Sequence, residues 1–242
     1  ITFTNVFAHI DDLKNLLASL KFITNKNTLI IIENHYLGEV IKKNQFDTFY
    51  HEHQRTYSLQ SFVSISKLLK TNIIDYKFVK RYNGNIRVYL RKTNKIYKTR
   101  KNIKDSLKTE RTIIKKIKVF QKKVDNWKYS KKLLLNKLVK QKGALPAKAF
   151  PGRASILINL LKLDAKYISN IYEKNYSLKV NNYAPGTNIR ILKEKYITTK
   201  EIQKDIMINF AWHISSEIKN YVRKKLKYKG RIIDLISKSD FK

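Results

Sequence analysis

A chain of 242 residues makes one large domain or two modest ones at about 150 residues per domain, and either can bury a sizeable core. Fifty-two Lys+Arg against 18 Asp+Glu leave a formal charge of +34, yet 43% of the residues are hydrophobic and 12% aromatic, which excludes a disordered basic tail. The lack of cysteine excludes disulfides, thiolate zinc sites, iron–sulfur clusters and cysteine nucleophiles, and with no apolar run near the roughly 20 residues a bilayer needs and no signal segment, a soluble cytoplasmic protein is expected.

Residues 1–7 read as a strand, followed by a helix that carries Leu13, Leu16, Leu17, Leu20 and Ile23 at three-and-four spacing behind an Asp11 or Asp12 cap. Residues 28–32 form an apolar, β-branched run, the pattern of a strand buried on both faces. Behind it comes Glu33-Asn34-His35-Tyr36, polar groups at the strand end where ligands sit in open α/β sheets. A helix is expected near residues 59–69. Apolar runs at 73–79 and 86–90 flank the turn signal Tyr82-Asn83-Gly84-Asn85 and predict an antiparallel pair.

From residue 103 to 139 apolar side chains recur at threes, fours and sevens with no Gly or Pro, which predicts one long connecting helix with a lysine-rich solvent face. Beyond it, residues 144–150 are strand-like although Pro146 weakens them. Pro151-Gly152-Arg153-Ala154-Ser155 reads as a tight turn into a helix at 156–163, and 167–172 is a short apolar run. A strand at 205–210 ends in Ala211-Trp212-His213, a helix at 214–226 is closed by Gly230, and 231–236 reads as a last strand. The expected fold class is α/β: a partial Rossmann-like domain over 1–96, a long helix over 97–142, and a second Rossmann-like α/β domain over 143–242.

The charge attracts nucleic acid or an anionic surface in principle. Lys, Asn, Ile and Tyr also share A/T-rich codons, so a biased genome produces the same composition, and the basic residues are spread along the whole chain. Chemistry concentrates elsewhere, in Gln45-Phe46-Asp47-Thr48-Phe49-Tyr50-His51-Glu52-His53-Gln54. Titratable groups lodged among aromatics need hydrogen-bond partners to be tolerated when buried. His51 and His53 flank Glu52, but a closed metal site needs a third or fourth ligand that no other cluster supplies at obvious spacing, so no metal is expected. Two readings remain: histidines satisfied in a polar crevice, or general acid–base catalysis by an imidazole that a carboxylate such as Glu52 orients. The second is preferred.

The stretch containing Phe46-Asp47-Thr48, Tyr50-His51-Glu52-His53 and Tyr57-Ser58-Leu59 resembles the signature of sugar C-methyltransferases that use S-adenosyl-L-methionine and methylate a ring carbon of nucleotide-linked keto-deoxysugars. Pro151-Gly152-Arg153-Ala154-Ser155, Tyr183-Ala184-Pro185-Gly186-Thr187 and Ala211-Trp212 through Glu217-Ile218 resemble motifs of that family's C-terminal α/β domain, in the same order. The resemblance implies that His53 is the base that deprotonates the carbon beside the ketone, that Tyr50 and Glu52 position it, and that the imidazole projects into a cleft. It further implies cofactor contacts from Asn5, Phe7 and His9, and substrate contacts from His51, Gly152, Arg153, Tyr183 and Trp212, with backbone N–H groups of the stretch from Pro151 to Ser155, at a helix N-terminus, as a site for the substrate's pyrophosphate. Family members carry a zinc-binding cysteine segment and a Gly-rich cofactor loop ahead of this region; with Gly38 the sole glycine before residue 80, the chain is expected to start partway through the methyltransferase domain, and zinc is expected only in that preceding segment. Where the family commonly has asparagine this sequence has His213. The alternative function is a non-catalytic basic module that binds nucleic acid or another polyanion.

Overall fold

The computed structural model describes residues 1–81, 84–95, 102–199, 202 and 206–241, with the side chain of Lys238 left aside. Tyr82 and Asn83 of the expected turn, the 96/97 domain boundary and Asp205, expected in a strand, lie outside the described residues. The chain divides into two compact units, Ile1–Lys122 and Lys123–Lys242.

The first unit is built on a four-stranded sheet in the order β1-β2-β4-β3, from β1 (Thr2–Thr4), β2 (Leu29–His35), β3 (Asn72–Val79) and β4 (Asn85–Arg91). β1 and β2 are parallel, and β4 runs antiparallel to both β2 and β3, as the turn signal predicts for the last pair. The first strand is shorter than expected. Asn5 takes a left-handed backbone (φ 54°), a conformation asparagine tolerates, and the chain then coils into a 3-10 turn at Phe7–His9. The core lies on one face of the sheet, where Ile30, Ile32, Ile86, Val88 and Leu90 meet Leu17 and Leu20 of α1 (Leu13–Ile23) and Leu59, Phe62 and Ile65 of α3 (Leu59–Leu68). Asp12 caps α1 by accepting from the Asn15 N–H (2.9 Å), and Ser58 and Ser61 form a reciprocal capping box on α3. The short helix α2 (Leu37–Lys42) went unforeseen.

The expected single connector is two helices, α4 (Ile103–Ile114) and α5 (Ile117–Lys142). Neither Gly nor Pro causes the break. At Lys116 the N–H reaches only to the Ile113 carbonyl, a tighter 3-10 bond, before the Phe120 N–H resumes the regular spacing to Lys116. Each helix also has its own anchor. Glu110 of α4 is buried and accepts from the Leu59 (2.6 Å) and Gln60 (3.0 Å) N–H groups at the start of α3, while α5 buries Trp127, whose Nε1 donates to the Leu235 carbonyl (2.9 Å). An acid hidden in a lysine-rich segment thus fastens α4 to the first unit's core.

The second unit is a five-stranded, all-parallel sheet in the order β7-β6-β5-β8-β9, from β5 (Leu145–Lys148), β6 (Ile168–Glu173), β7 (Arg190–Lys193), β8 (Ile206–Asn209) and β9 (Arg231–Asp234). Pro146 sits in the central strand because the register with β6 slips between Leu145 and Ala147, so its missing N–H falls at an irregularity. Helix α6 (Ala154–Leu161) starts earlier than expected, and α7 (Ser215–Lys224) is shorter. The reversal after α7 is made by Lys227 at φ 52°, with the Tyr228 N–H closing onto the Val222 carbonyl, and not by Gly230. β7 was not anticipated. Among the described residues no helix is long and apolar enough to cross a membrane.

Candidate active site and ligand-binding end of the second sheet

In the first unit the segment from residue 45 to 57 leaves and returns to the end of β2. The Gln45 N–H bonds the Val40 carbonyl, Phe46, Asp47 and Thr48 form a buried 3-10 turn, and Leu37 N–H bonds the Tyr57 carbonyl. Between these fixed points the His53 N–H bonds the Tyr50 carbonyl (2.8 Å), a turn that folds the His53 ring back over the segment. The Arg55 guanidinium then donates to the Ile10 (2.5 Å) and Asp11 (2.9 Å) carbonyls, which brings the loop after β1 alongside. That tie is why His9 and His53 meet, with ring centroids 4.8 Å apart, while His35 at the end of β2 stands 5.3 Å from the same ring.

His53 Nδ1 lies 3.0 Å from the Thr48 carbonyl oxygen, and Nε2 lies 3.3 Å from the Tyr50 hydroxyl. A carbonyl only accepts, so Nδ1 carries the proton. In the neutral ring the lone pair is then on Nε2, 3.3 Å from the Tyr50 hydroxyl, which can donate to it. The side chain is partly buried, held by a main-chain acceptor on one side and by the Tyr50 ring 4.4 Å away. This arrangement can accept one proton at Nε2 from a group that approaches beside Tyr50.

The structure therefore joins Tyr50 and His53. His51 and Glu52 are exposed and face each other at 3.8 Å, and the orienting contact expected of Glu52 is made by the Thr48 carbonyl. Of the three expected cofactor residues, His9 is exposed beside His53, Phe7 is sealed in the core against Phe3 and Tyr57, and the Asn5 side chain accepts from Asn85 Nδ2 (2.8 Å). The same Asn85 amide also donates to Glu33 (3.1 Å), which is buried and bonded by the Arg87 guanidinium at 2.5 and 2.6 Å. Three strand ends are locked together by this network. Sequence reasoning placed His35 among polar groups at a strand end but could not pair it with His53, and the Thr48 contact is main-chain and leaves no residue-type signal.

At the C-terminal edge of the second sheet, Pro151, Gly152 and Arg153 make the expected turn into α6. Its first N–H groups are occupied: Ala154, Ser155 and Ile156 bond the carbonyls of Pro151, Gly152 and Arg153. Arg153 itself is half-buried. Trp212 and His213 lie in a 3-10 turn after β8, and their rings are 6.2 Å apart. His213 is pushed down to about 4 by burial first and by the charge of Arg153 second, so its imidazole is neutral at ordinary pH. Tyr183 is 54% exposed in the connection between β6 and β7, where it bridges to Arg190. A network that the sequence did not reveal closes this edge. The ammonium of buried Lys148 meets Glu194 at 2.8 Å and the Tyr172 carbonyl at 3.1 Å, and the Tyr221 hydroxyl donates to Glu194 at 2.6 Å. That carboxylate, with burial second, pushes the Tyr221 hydroxyl up to about 12.

The family described as C-methyltransferase C-terminal domain matches residues 81–236, well over half of the chain. The chain belongs to the C-methyltransferase family. It is 29% identical over 106 residues to the C-methyltransferase NovU of Streptomyces niveus, an alignment covering 44% of this chain and 25% of that protein. The chain thus spans about a quarter of the length of the curated relative it matches. The matched family region contains Arg153, Tyr183, Trp212 and His213, whereas His53 and its neighbours precede it.

Proposed function

We propose that the protein transfers a methyl group to a ring carbon of a nucleotide-linked keto-deoxysugar, with His53 as the base. The observation that carries this reading is the seating of the His53 ring, with Nδ1 3.0 Å from the Thr48 carbonyl oxygen and Nε2 3.3 Å from the Tyr50 hydroxyl. A ketone acidifies the carbon next to it. The proton on that carbon passes to Nε2, the C–H electron pair becomes the enolate, and the imidazolium that forms keeps its bond to the Thr48 carbonyl. For this the Tyr50 hydroxyl turns from Nε2 to the ketone oxygen as the substrate binds, which frees the Nε2 lone pair for the proton and stabilises the charge on that oxygen as the enolate develops. His9, whose ring edge faces His53, borders the same space.

S-adenosylmethionine, when bound, supplies an electrophilic methyl group for the enolate carbon. The residues present fit it in part: Asn85 Oδ1 is buried with no hydrogen-bond partner among the described residues, leaving one acceptor beside Asn5, and His9 is open, whereas the Phe7 side chain belongs to the core. Asn5 and His9 are the residues that would hold it. In the second unit, taken by itself, Gly152, Arg153 and Trp212 are the residues that would meet a nucleotide, and the protein acts in the cytoplasm.

Base catalysis can be tested without the methyl donor. In D2O the protein should catalyse exchange of the proton beside the ketone of a nucleotide-linked keto-deoxysugar, followed by NMR, and His53→Asn should reduce the exchange rate at least 100-fold, in line with the usual contribution of a positioned base. Exchange at the unmodified rate in the variant removes His53 from the mechanism.

A further inference from the structure

The carbonyl that holds His53 Nδ1 stands at the end of a short ladder of hydrogen bonds that begins in α2. The Gln45 N–H bonds the carbonyl of buried Val40 (2.9 Å). Two donors of one residue, the Thr48 N–H (3.1 Å) and the Thr48 Oγ1 hydroxyl (2.8 Å), then land on the Gln45 carbonyl. A carbonyl has two lone pairs, and this one has both filled. The Phe49 N–H closes the turn onto the Phe46 carbonyl (3.2 Å). A trans peptide holds its N–H and C=O on opposite sides, so tying the Phe49 N–H backward aims the Thr48 carbonyl of the same peptide unit out of the turn, where His53 Nδ1 lies 3.0 Å away.

Gln45, Phe46, Asp47 and Thr48 are each no more than 5% exposed, so water does not compete for these bonds. The 3-10 turn is three residues long, and its main-chain bonds are poorer in geometry than those of an α-helix. A side-chain bond across it therefore adds rigidity that the main chain alone lacks.

We propose that Thr48 is a positioning residue for the base: its hydroxyl braces the turn that aims the Thr48 carbonyl at His53, and so sets which ring nitrogen carries the proton. This rests on the reading of His53 as the base and adds to it the side chain that keeps Nε2 available. Any residue at position 48 has the main-chain carbonyl; what threonine contributes is the hydroxyl.

Valine keeps the branch at Cβ without the hydroxyl, and serine keeps the hydroxyl without the methyl group. In the exchange assay above, Thr48→Val should lower the maximal rate about tenfold, the worth of one hydrogen bond, with KM for the sugar within about twofold, while Thr48→Ser stays within about threefold of the unmodified chain. Nitrogen–proton correlation should show His53 protonated at Nδ1 in the unmodified chain and in Thr48→Ser, and a mixture of tautomers in Thr48→Val. The unmodified rate and an unmoved His53 spectrum in Thr48→Val overturn this inference alone, and so does an equal loss in Thr48→Ser, which traces the effect to packing. A readout that needs no variant is the Thr48 hydroxyl proton, which should exchange slowly with water; fast exchange overturns the inference. Absence of exchange at the sugar carbon with the unmodified chain overturns the reading of His53 as the base and this inference with it.

Discussion

The two sheets solve the placement of polar groups at strand ends in different ways. In the first unit the ends of β1, β2 and β4 are tied by side chains that satisfy one another, Asn5, Glu33, Asn85 and Arg87, and the His53 imidazole is set by a main-chain carbonyl. In the second unit the edge is braced by the Lys148–Glu194–Tyr221 network, while burial first and the Arg153 charge second keep His213 neutral, its Nδ1 without a hydrogen-bond partner among the described residues. The first unit seats its imidazole on a main-chain partner, and the second leaves one ring nitrogen of a neutral imidazole without a partner among the described residues.

Four changes would break or sharpen that contrast. Trp127→Ala deletes the largest side chain in the second unit's core, together with its bond to Leu235, and should destabilise that unit by about 3–5 kcal/mol in urea titrations. Hydrogen exchange in the β5–β9 sheet should rise while β1–β4 amides stay protected; equal loss in both sheets would contradict assigning α5 to the second core. Glu110→Ala leaves two N–H groups at the start of α3 without acceptors and should cost about 1–3 kcal/mol, seen as faster exchange at Leu59 and Gln60. It also removes the carboxylate that, after burial, raises the Tyr36 hydroxyl above its ordinary range, so Tyr36 should ionise at lower pH in the variant.

A smaller effect depends on pH. His213 titrates near 4 when folded and near 6.5 when unfolded, so the unfolded chain binds the extra proton between these values. Its contribution to stability is complete above about pH 6.5 and is lost as pH falls toward 4. Comparison of His213→Asn with the unmodified chain in urea melts at pH 7 and pH 4.5 should show a shallower pH dependence in the variant. The smallest effect is expected at Lys162, which ends α6 in the left-handed region at φ 47°. Lys162→Gly should raise stability by up to about 1 kcal/mol, because glycine adopts that backbone without the Cβ penalty.

Most of the second unit was legible in the sequence because buried parallel strands write themselves as short apolar runs, as at Ile206–Asn209 and Ile168–Glu173. β7 escaped because four residues with one buried position carry almost no periodicity. The α4/α5 break escaped because it comes from one shifted hydrogen bond, which residue types do not encode. Within the candidate site, the histidine-rich block marked where chemistry concentrates, but not how. Sequence adjacency suggested Glu52 as the partner of His53, and the fold instead turns Glu52 outward and brings in Thr48, His9 and His35. Contacts made by main-chain carbonyls or by rings more than fifteen residues away follow from the path of the chain and become visible only once that path is known.

The account stands or falls on the tautomer of His53. Long-range nitrogen–proton correlation of the histidine rings at neutral pH reads it directly, with His53→Asn used to assign the signals. The prediction is a ring protonated at Nδ1 with an unprotonated Nε2, shifted when Tyr50→Phe removes the hydroxyl. A His53 ring protonated at Nε2, or one that responds to neither Tyr50 nor the histidines beside it, would contradict the account.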